Sequence, residues 1–232
     1  MSNNIKHVLF DLDGTLVDTA PDMATALNRL LVENRRAPLD FSTIRPVVSH
    51  GGAALVAMAF PDTDPAMLET RRQRFLALYA EQLQRESQLF PGMETVLTEL
   101  ARQQRHWGIV TNKPAWLAEP LIQAMIGLGK LPDSCACIVC GDQVDRPKPA
   151  ADALLRACEL TGWQAQECVY VGDAKRDIEA AHAAGMAGVV ASYGYLASTD
   201  NPGDWTADAV INSPEELLGW LTASAVITAS VS

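Results

Sequence analysis

The sequence predicts an α/β protein: a parallel sheet with helices on both faces, interrupted by a wholly helical insert. Three observations carry this. The apolar run Ile5 to Phe10 ends abruptly in polar residues and reads as a buried strand. From Phe90 onward, strand-like and helix-like segments alternate about every 25–30 residues, which is the grammar of a parallel sheet. Between the two, from about Val17 to Gln88, apolar residues recur at helical spacing and no strand stands out. The chain therefore divides into a core of residues 1–16 and 89–232 and a helical insert of residues 17–88.

The elements follow in order. Met23, Leu27, Leu30 and Leu31 make the apolar stripe of a helix from Pro21 to about Arg36, bracketed by Pro21 and Pro38. Leu55 to Phe60 reads as a second helix, stopped by Pro61. Asp64-Pro65 opens a longer helix to about Gln88, with Leu68, Phe75, Leu76, Tyr79 and Leu83 as its stripe. Its Arg71, Arg72, Arg74 and Arg85 read as a solvated face. After Phe90-Pro91-Gly92, helices are predicted over 93–104, 115–125, 150–160, 174–184 and 214–221. Strands are predicted over 107–110, 137–140, 168–171, 187–191 and 209–211. The small, uncharged tail Thr222–Ser232 reads as frayed.

Composition narrows the function classes. The chain has 232 residues, 48 % of them hydrophobic, enough for a sizeable core. Lys and Arg number 18 against 28 Asp and Glu, a formal net charge of −10. An acidic surface repels phosphate backbones and anionic lipids, so neither nucleic acid nor a membrane surface is an expected partner. The five cysteines are an odd number, mostly in apolar runs, and do not read as a disulfide framework. Cys135-Ala-Cys137-Ile-Val-Cys140 invites a zinc reading, but no second Cys or His pair follows. Buried thiols acting as small hydrophobes are the plainer expectation. Met1-Ser2-Asn3-Asn4 begins no apolar leader, and no stretch of about 18 apolar residues exists. A cytoplasmic enzyme is the expectation.

Open parallel sheets bind ligands beyond the carboxyl ends of their strands. There the sequence sets Asp11-Leu12-Asp13-Gly14-Thr15, then Thr111-Asn112-Lys113, then Arg146-Pro147-Lys148-Pro149, then Gly172-Asp173 and Asp177. Asp11, Asp13, Asp173 and Asp177 gathered in one cleft require a cation among them. An all-oxygen donor set favours Mg²⁺. Lys148 can hold both a nucleophile and a phosphoryl oxygen, and Thr111 and Asn112 offer uncharged donors. A carboxylate can accept a phosphoryl group when metal and Lys offset its charge. A second carboxylate two residues on can protonate the leaving oxygen and then activate water. Singly, each group has a simpler reading: a surface Lys, a turn Thr, or acids favoured at a helix N-terminus. Their coincidence at successive strand ends is what argues for a site.

Asp11-Leu12-Asp13-Gly14-Thr15-Leu16-Val17-Asp18 resembles the first motif of the haloacid dehalogenase superfamily of phosphatases. Thr111, Lys148 and Gly172-Asp173 with Asp177 resemble its second, third and fourth motifs in order. The resemblance implies a Rossmann-like core with an all-helical C1-type cap. It implies Asp11 as the nucleophile, Asp13 as general acid and base, and Thr111 and Lys148 as phosphoryl binders. Mg²⁺ would be held by Asp11, Asp13 through its backbone carbonyl, and Asp173, with Asp177 orienting the site. The family's dehalogenases lack the second aspartate of the first motif, so Asp13 implies a phosphatase. Asp18-Thr19-Ala20-Pro21-Asp22 and Thr111-Asn112-Lys113-Pro114 are similar to the phosphoglycolate phosphatase subgroup. Val48-Ser49-His50-Gly51-Gly52, Tyr193-Gly194-Tyr195 and Trp205 are similar to phosphatases of N-acetylmuramic acid 6-phosphate, a cell-wall recycling sugar. A small phosphorylated metabolite is thus the implied partner, to a monomer or homodimer. Many relatives carry Asp or Ser where this chain has Ala174, a departure that could weaken the metal site.

In the insert, His50-Gly51 interrupts the helical pattern and either faces the substrate or makes a plain turn. Arg45 either meets a substrate carboxylate or lies on the surface. Two other chemistries share these residue types: a phospho-acceptor receiver module and a sugar-phosphate phosphotransferase. The long insert and Asp13 argue against the receiver.

Overall fold

A computed structural model describes residues 5–61 and 63–229. Six parallel strands form the main sheet in the order β5-β4-β1-β6-β7-β8. They are β1 (His7–Phe10), β4 (His106–Thr111), β5 (Cys135–Cys140), β6 (Cys168–Gly172), β7 (Ala187–Ala191) and β8 (Ala209–Ile211). Their pairing in register brings Phe10 beside Ile109 on one side and Val171 on the other. The first strand is therefore central. Winding proceeds outward on one side through β4 and β5, then crosses to β6 on the other. That reversal opens a crevice at the carboxyl ends of β1, β4 and β6.

Each face of the sheet is covered. One apolar cluster joins Val8, Phe10, Ile109 and Val171 to α5 (Met93–Arg102), α6 (Ala115–Gly127) and α9 (Glu216–Ala229). Another joins Leu9, Val110 and Tyr170 to α7 (Asp152–Thr161) and α8 (Lys175–Ala183). Because both faces are buried, the central strands are apolar throughout rather than alternating. All five cysteines are free. Burial pushes the thiols of Cys135 and Cys137 up to about 12 and about 11, and among the described residues the carboxylates of Asp11, Asp173 and Asp177, not these thiols, cluster closely enough to share a metal.

The insert packs around an apolar cluster that also takes in Phe90, Leu117 and Tyr195 from the rest of the chain. It comprises α1 (Ala20–Glu33), the short α2 (Phe41–Ile44), α3 (Gly51–Ala59) and α4 (Pro65–Ala80). Leu27, Leu30, Leu55, Phe75 and Tyr79 are fully enclosed within it. Asp64 caps α4, its carboxylate accepting from the N–H groups of Ala66 and Met67. Gly52 lets α3 press close, since a Cβ there would sit 3.0 Å from the Phe75 ring.

Several boundaries differ from the sequence expectation. The stretch is not strandless: β2 (Val17–Asp18) and β3 (Gln88–Leu89) pair antiparallel where the chain enters and leaves the insert. The helix expected to reach Gln88 ends at Ala80. Past it, Gln84 takes a left-handed conformation, and the buried Asp22 carboxylate captures the N–H groups of Glu86 and Ser87. Those bonds turn the chain back toward the core. Gly51-Gly52 does not separate helices but opens α3 after a 3₁₀ turn over Arg45–His50. The last helix continues through Ala229, beyond the expected fraying point, while residues 1–4 and 230–232 lie outside the described residues. None of the described helices is long and apolar enough to cross a membrane.

Candidate active site

Asp11 stands at the carboxyl end of β1, only 6 % exposed. Its Oδ1 accepts from the Leu12 N–H at 2.8 Å and lies 3.0 Å from Lys148 Nζ. The Lys148 ammonium is buried and also meets Asp177 Oδ1 at 2.8 Å. It donates to the Tyr170 hydroxyl at 2.6 Å, which donates in turn to the Val110 carbonyl. Burial alone would discharge this amine, but Asp11 and Asp177 overcome that and hold its pKa above the usual lysine value. Asn112 fixes the Lys148 backbone from both sides. Its amide donates to the Lys148 carbonyl at 2.9 Å and its oxygen accepts the Lys148 N–H at 3.0 Å. The expected substrate ligand is therefore first a clamp on Lys148, although it also lines the cavity.

Asp13 points the other way. Lys113 Nζ donates to both its oxygens, at 2.8 and 3.0 Å, and Thr19 Oγ1 donates to Oδ1 at 2.5 Å. Thr111, 1 % exposed, turns its hydroxyl to accept the Lys113 N–H. Gly14 adopts φ +83°, and a Cβ there would run into the Asp173 carboxylate. Asp11, Asp13, Thr111, Asn112, Lys148, His50 and Gly51 all line one cavity of about 350 Å³ between the sheet and the insert. A more open groove between α5 and α9 lies away from the strand ends.

Asp173 and Asp177 lie beside Asp11, as a floor beneath the lining of its cavity. Asp173 Oδ2 accepts from Ser49 Oγ at 2.6 Å and the Tyr195 N–H at 2.8 Å, whereas its buried Oδ1 has no protein partner. Asp177 Oδ2 caps α8 by accepting the Ala174 N–H at 2.9 Å. Ala174 thus contributes through its backbone. Asp11, Asp173 and Asp177 bring ligand oxygens within 4.8 Å of one another. Burial pushes the carboxyl of Asp11 up to about 6, with Lys148 opposing and Asp177 and Asp13 adding to the rise. Burial, then Asp177 and Asp11, push Asp173 up to about 7. Four carboxylates face the two ammonium groups of Lys113 and Lys148. A divalent, oxygen-preferring cation fits that imbalance and the partnerless Asp173 oxygen. The side chain of Asp13 is outside this cluster, since Lys113 holds it.

The insert is joined to this floor by contacts that sequence reasoning did not anticipate. Arg176 Nη1 donates to the Ser49 carbonyl at 2.6 Å, and Nη2 lies 2.9 Å from His50 Nδ1. Burial and then Arg176 lower the His50 pKa, which favours the neutral ring as acceptor. Arg45, expected near a substrate carboxylate, instead donates to the Gly194 carbonyl at 2.9 Å and stacks on the Tyr195 ring. The Tyr195 hydroxyl accepts from the N–H groups of Thr19 and Ala20 and donates to Asp18 Oδ1 at 2.7 Å. Arg72 does not belong to a fully solvated face, because it lines the cavity with Leu76 and Tyr79. Its spacing from those two residues, four and seven, was the available signal.

The chain is similar to known proteins in sequence and in fold. A phosphoglycolate phosphatase of Xylella fastidiosa is 43 % identical over 212 residues, 91 % of each chain. An N-acetylmuramic acid 6-phosphate phosphatase of Pseudomonas putida is 38 % identical over 214 residues, 92 % of this chain and 94 % of that one. A crystal structure from Haemophilus somnus 129pt, described as a predicted phosphoglycolate phosphatase, superposes with a TM-score of 0.80 at 24 % identity. It covers 93 % of this chain and 97 % of that one, and shows the shared fold. The family model of haloacid dehalogenase-like hydrolases matches residues 8–191. With Asp11 and Asp13 just beyond the end of β1, a family model matched over most of its length and phosphatases among its relatives, the chain belongs to the haloacid dehalogenase-like hydrolases and is a phosphatase.

Proposed function

We propose that the chain is a Mg²⁺-dependent phosphomonoesterase that works through an aspartyl-phosphate and acts on N-acetylmuramic acid 6-phosphate. The observation that carries the chemistry is Asp11, buried at the base of the cavity with Lys148 at 3.0 Å. Asp11 and Asp173, with the Asp13 backbone carbonyl, would hold Mg²⁺, and Asp177 would orient Lys148. The ion would offset phosphoryl and carboxylate charge.

Lys148 and Thr111 bind the non-bridging phosphoryl oxygens. An Asp11 oxygen attacks phosphorus in line, and the bond from phosphorus to the ester oxygen breaks. Asp13, protonated on an oxygen that Lys113 releases, gives that proton to the departing alkoxide. Asp13 then takes a proton from water as the water oxygen attacks phosphorus. The Asp11–phosphorus bond breaks, releasing phosphate and the free carboxylate. Lys113 and Thr19 hold Asp13 in the orientation that both transfers need. The insert acts as a cap that keeps bulk water away.

The substrate reading rests on the cavity. About 350 Å³ walled by Met23, Leu76, Tyr79 and Leu117 suits a sugar ring, and a two-carbon acid would leave much of it to water. The second reading, 2-phosphoglycolate, is favoured by the relatives of that name at 43 % identity. The sugar reading carries with it a cytoplasmic role in peptidoglycan recycling. Release of phosphate with Mg²⁺ from N-acetylmuramic acid 6-phosphate, 2-phosphoglycolate and glucose 6-phosphate tests both. A kcat/KM at least about tenfold higher for the muramic compound is expected, roughly 1.4 kcal/mol of transition-state binding. A preference for 2-phosphoglycolate would reverse the order. Equal rates would remove both substrate readings, and no release from any would remove the mechanism.

A further inference from the structure

The cations around the cavity differ in what already occupies them. Lys148 is held by Asp11 and Asp177, and Lys113 by Asp13. Arg176 spends its guanidinium on the Ser49 carbonyl and the His50 ring. Arg72 is different. Its Nε and Nη2 both bind Glu69, at 2.7 Å each, three residues earlier on the same helix. The Glu69 side chain is 53 % exposed and that of Arg72 33 %. A solvent-facing pair within one helix is weakly held and easily exchanged. Glu69 would also keep the Gln73 amide, 2.7 Å from its Oε1, after losing Arg72.

Arg72 also stands on the right face. It shares a helical stripe with Leu76 and Tyr79, and all three line the cavity that has Asp11 at its base. A ligand with its phosphoryl group at Lys148 and its body against Leu76 and Tyr79 would meet a planar, always-charged fork on the same wall. That fork matches a carboxylate with two parallel hydrogen bonds.

We infer that Arg72 is the specificity-determining residue that selects a phosphorylated carboxylic acid, exchanging Glu69 for the substrate's carboxylate when the acid enters. The inference rests on the phosphomonoester reading of the same cavity. It holds for either acid named above, since each carries a carboxylate.

The test compares each acid with a counterpart lacking the carboxylate: N-acetylmuramic acid 6-phosphate with N-acetylglucosamine 6-phosphate, and 2-phosphoglycolate with ethyl phosphate. Calorimetric Kd values are measured on the turnover-silenced Asp11→Asn protein, alone and with Arg72→Ala, Arg72→Lys or Glu69→Gln. The intact enzyme supplies kcat/KM separately. Arg72→Ala should cut the preference for one of the acids over its counterpart by about 30-fold, and Arg72→Lys should keep part of it. Glu69→Gln, which frees the fork, should tighten that acid several-fold and its counterpart much less. Equal losses for acid and counterpart with Arg72→Ala, or no tightening with Glu69→Gln, would overturn the assignment. An intact enzyme that binds these esters with the Arg72 preference yet releases no phosphate would overturn the phosphatase mechanism and leave Arg72 in place.

Discussion

The floor, at and beneath the base of the cavity, holds Asp11, Lys148, Asp173 and Asp177, all at most 6 % exposed; Lys148 pairs with Asp11 and Asp177, and Ser49 and the Tyr195 N–H hold Asp173. On the facing wall, Arg72 and Glu69 keep 33 % and 53 % of their side-chain surface in water. The floor is preorganised: its charges were desolvated on folding, so little rearrangement remains when a phosphoryl group arrives. The wall is exchangeable, because its ion pair has water as an alternative and little to lose. Chemistry common to a family suits the first kind of construction, and choice among substrates suits the second.

This contrast can be broken at several points. The largest effect is expected for Asp11→Asn, which removes the nucleophile while keeping its shape. Phosphate release should fall by about 10⁴-fold or more with far-UV circular dichroism unchanged. Residual hydrolysis near the normal rate would remove Asp11 from the mechanism. Next comes Lys148→Met, which leaves Asp11 and Asp177 buried without their cation. A loss of about 3–5 kcal/mol in urea unfolding is expected. A loss below about 1 kcal/mol, as at an exposed pair, would erase the distinction between floor and wall.

Tyr195→Phe tests the joint between the regions. It removes the hydroxyl that holds Thr19, Ala20 and Asp18 and should cost about 1–3 kcal/mol in the same measurement. A pH dependence reads the floor itself. Burial holds Asp11 at about 6 and Asp173 at about 7, above the ordinary carboxyl range. Without divalent cation, the folded chain keeps protons between about pH 4 and 7 that the unfolded chain releases. That contribution to stability is full below about pH 4 and is lost as pH rises through 6 and 7. Mg²⁺ bound to the same carboxylates should abolish the decline. Melting temperatures with chelator and with Mg²⁺, at about pH 5 and 8, read this directly. A chelated protein equally stable at both would contradict it.

The floor was legible in the sequence because each part is local. A strand's end and the residues just after it stay together wherever the strand goes, so Asp11, Thr111 and Asp173 could be assigned to one rim, with Lys148 in the connection that leads from β5 to α7. The wall was less legible. Arg45 opens the 3₁₀ turn and Arg72 lies on α4, and their uses depend on how these elements pack. That packing turned Arg45 onto Gly194 and Tyr195 and turned Arg72 inward. Ser49 and Arg176 could be paired only once the 3₁₀ turn and α8 were brought together across more than a hundred residues. The end of α4 escaped because no Gly or Pro marks it. The stop comes from Asp22, far away in the chain.

The clasp between Val17 and Leu89 has a consequence for how such a chain could be remodelled. Residues 19–87 leave the sheet and return to it at one point, so to the six strands they amount to a closed loop of arbitrary length. Loop closure costs only about 0.6 kcal/mol per doubling of length. Replacing the whole excursion with a hairpin of a few residues would therefore change the core's closure entropy by only about 2–3 kcal/mol. The sheet is in this sense a socket, and a different helical block could be fitted between the same two residues without re-threading a strand.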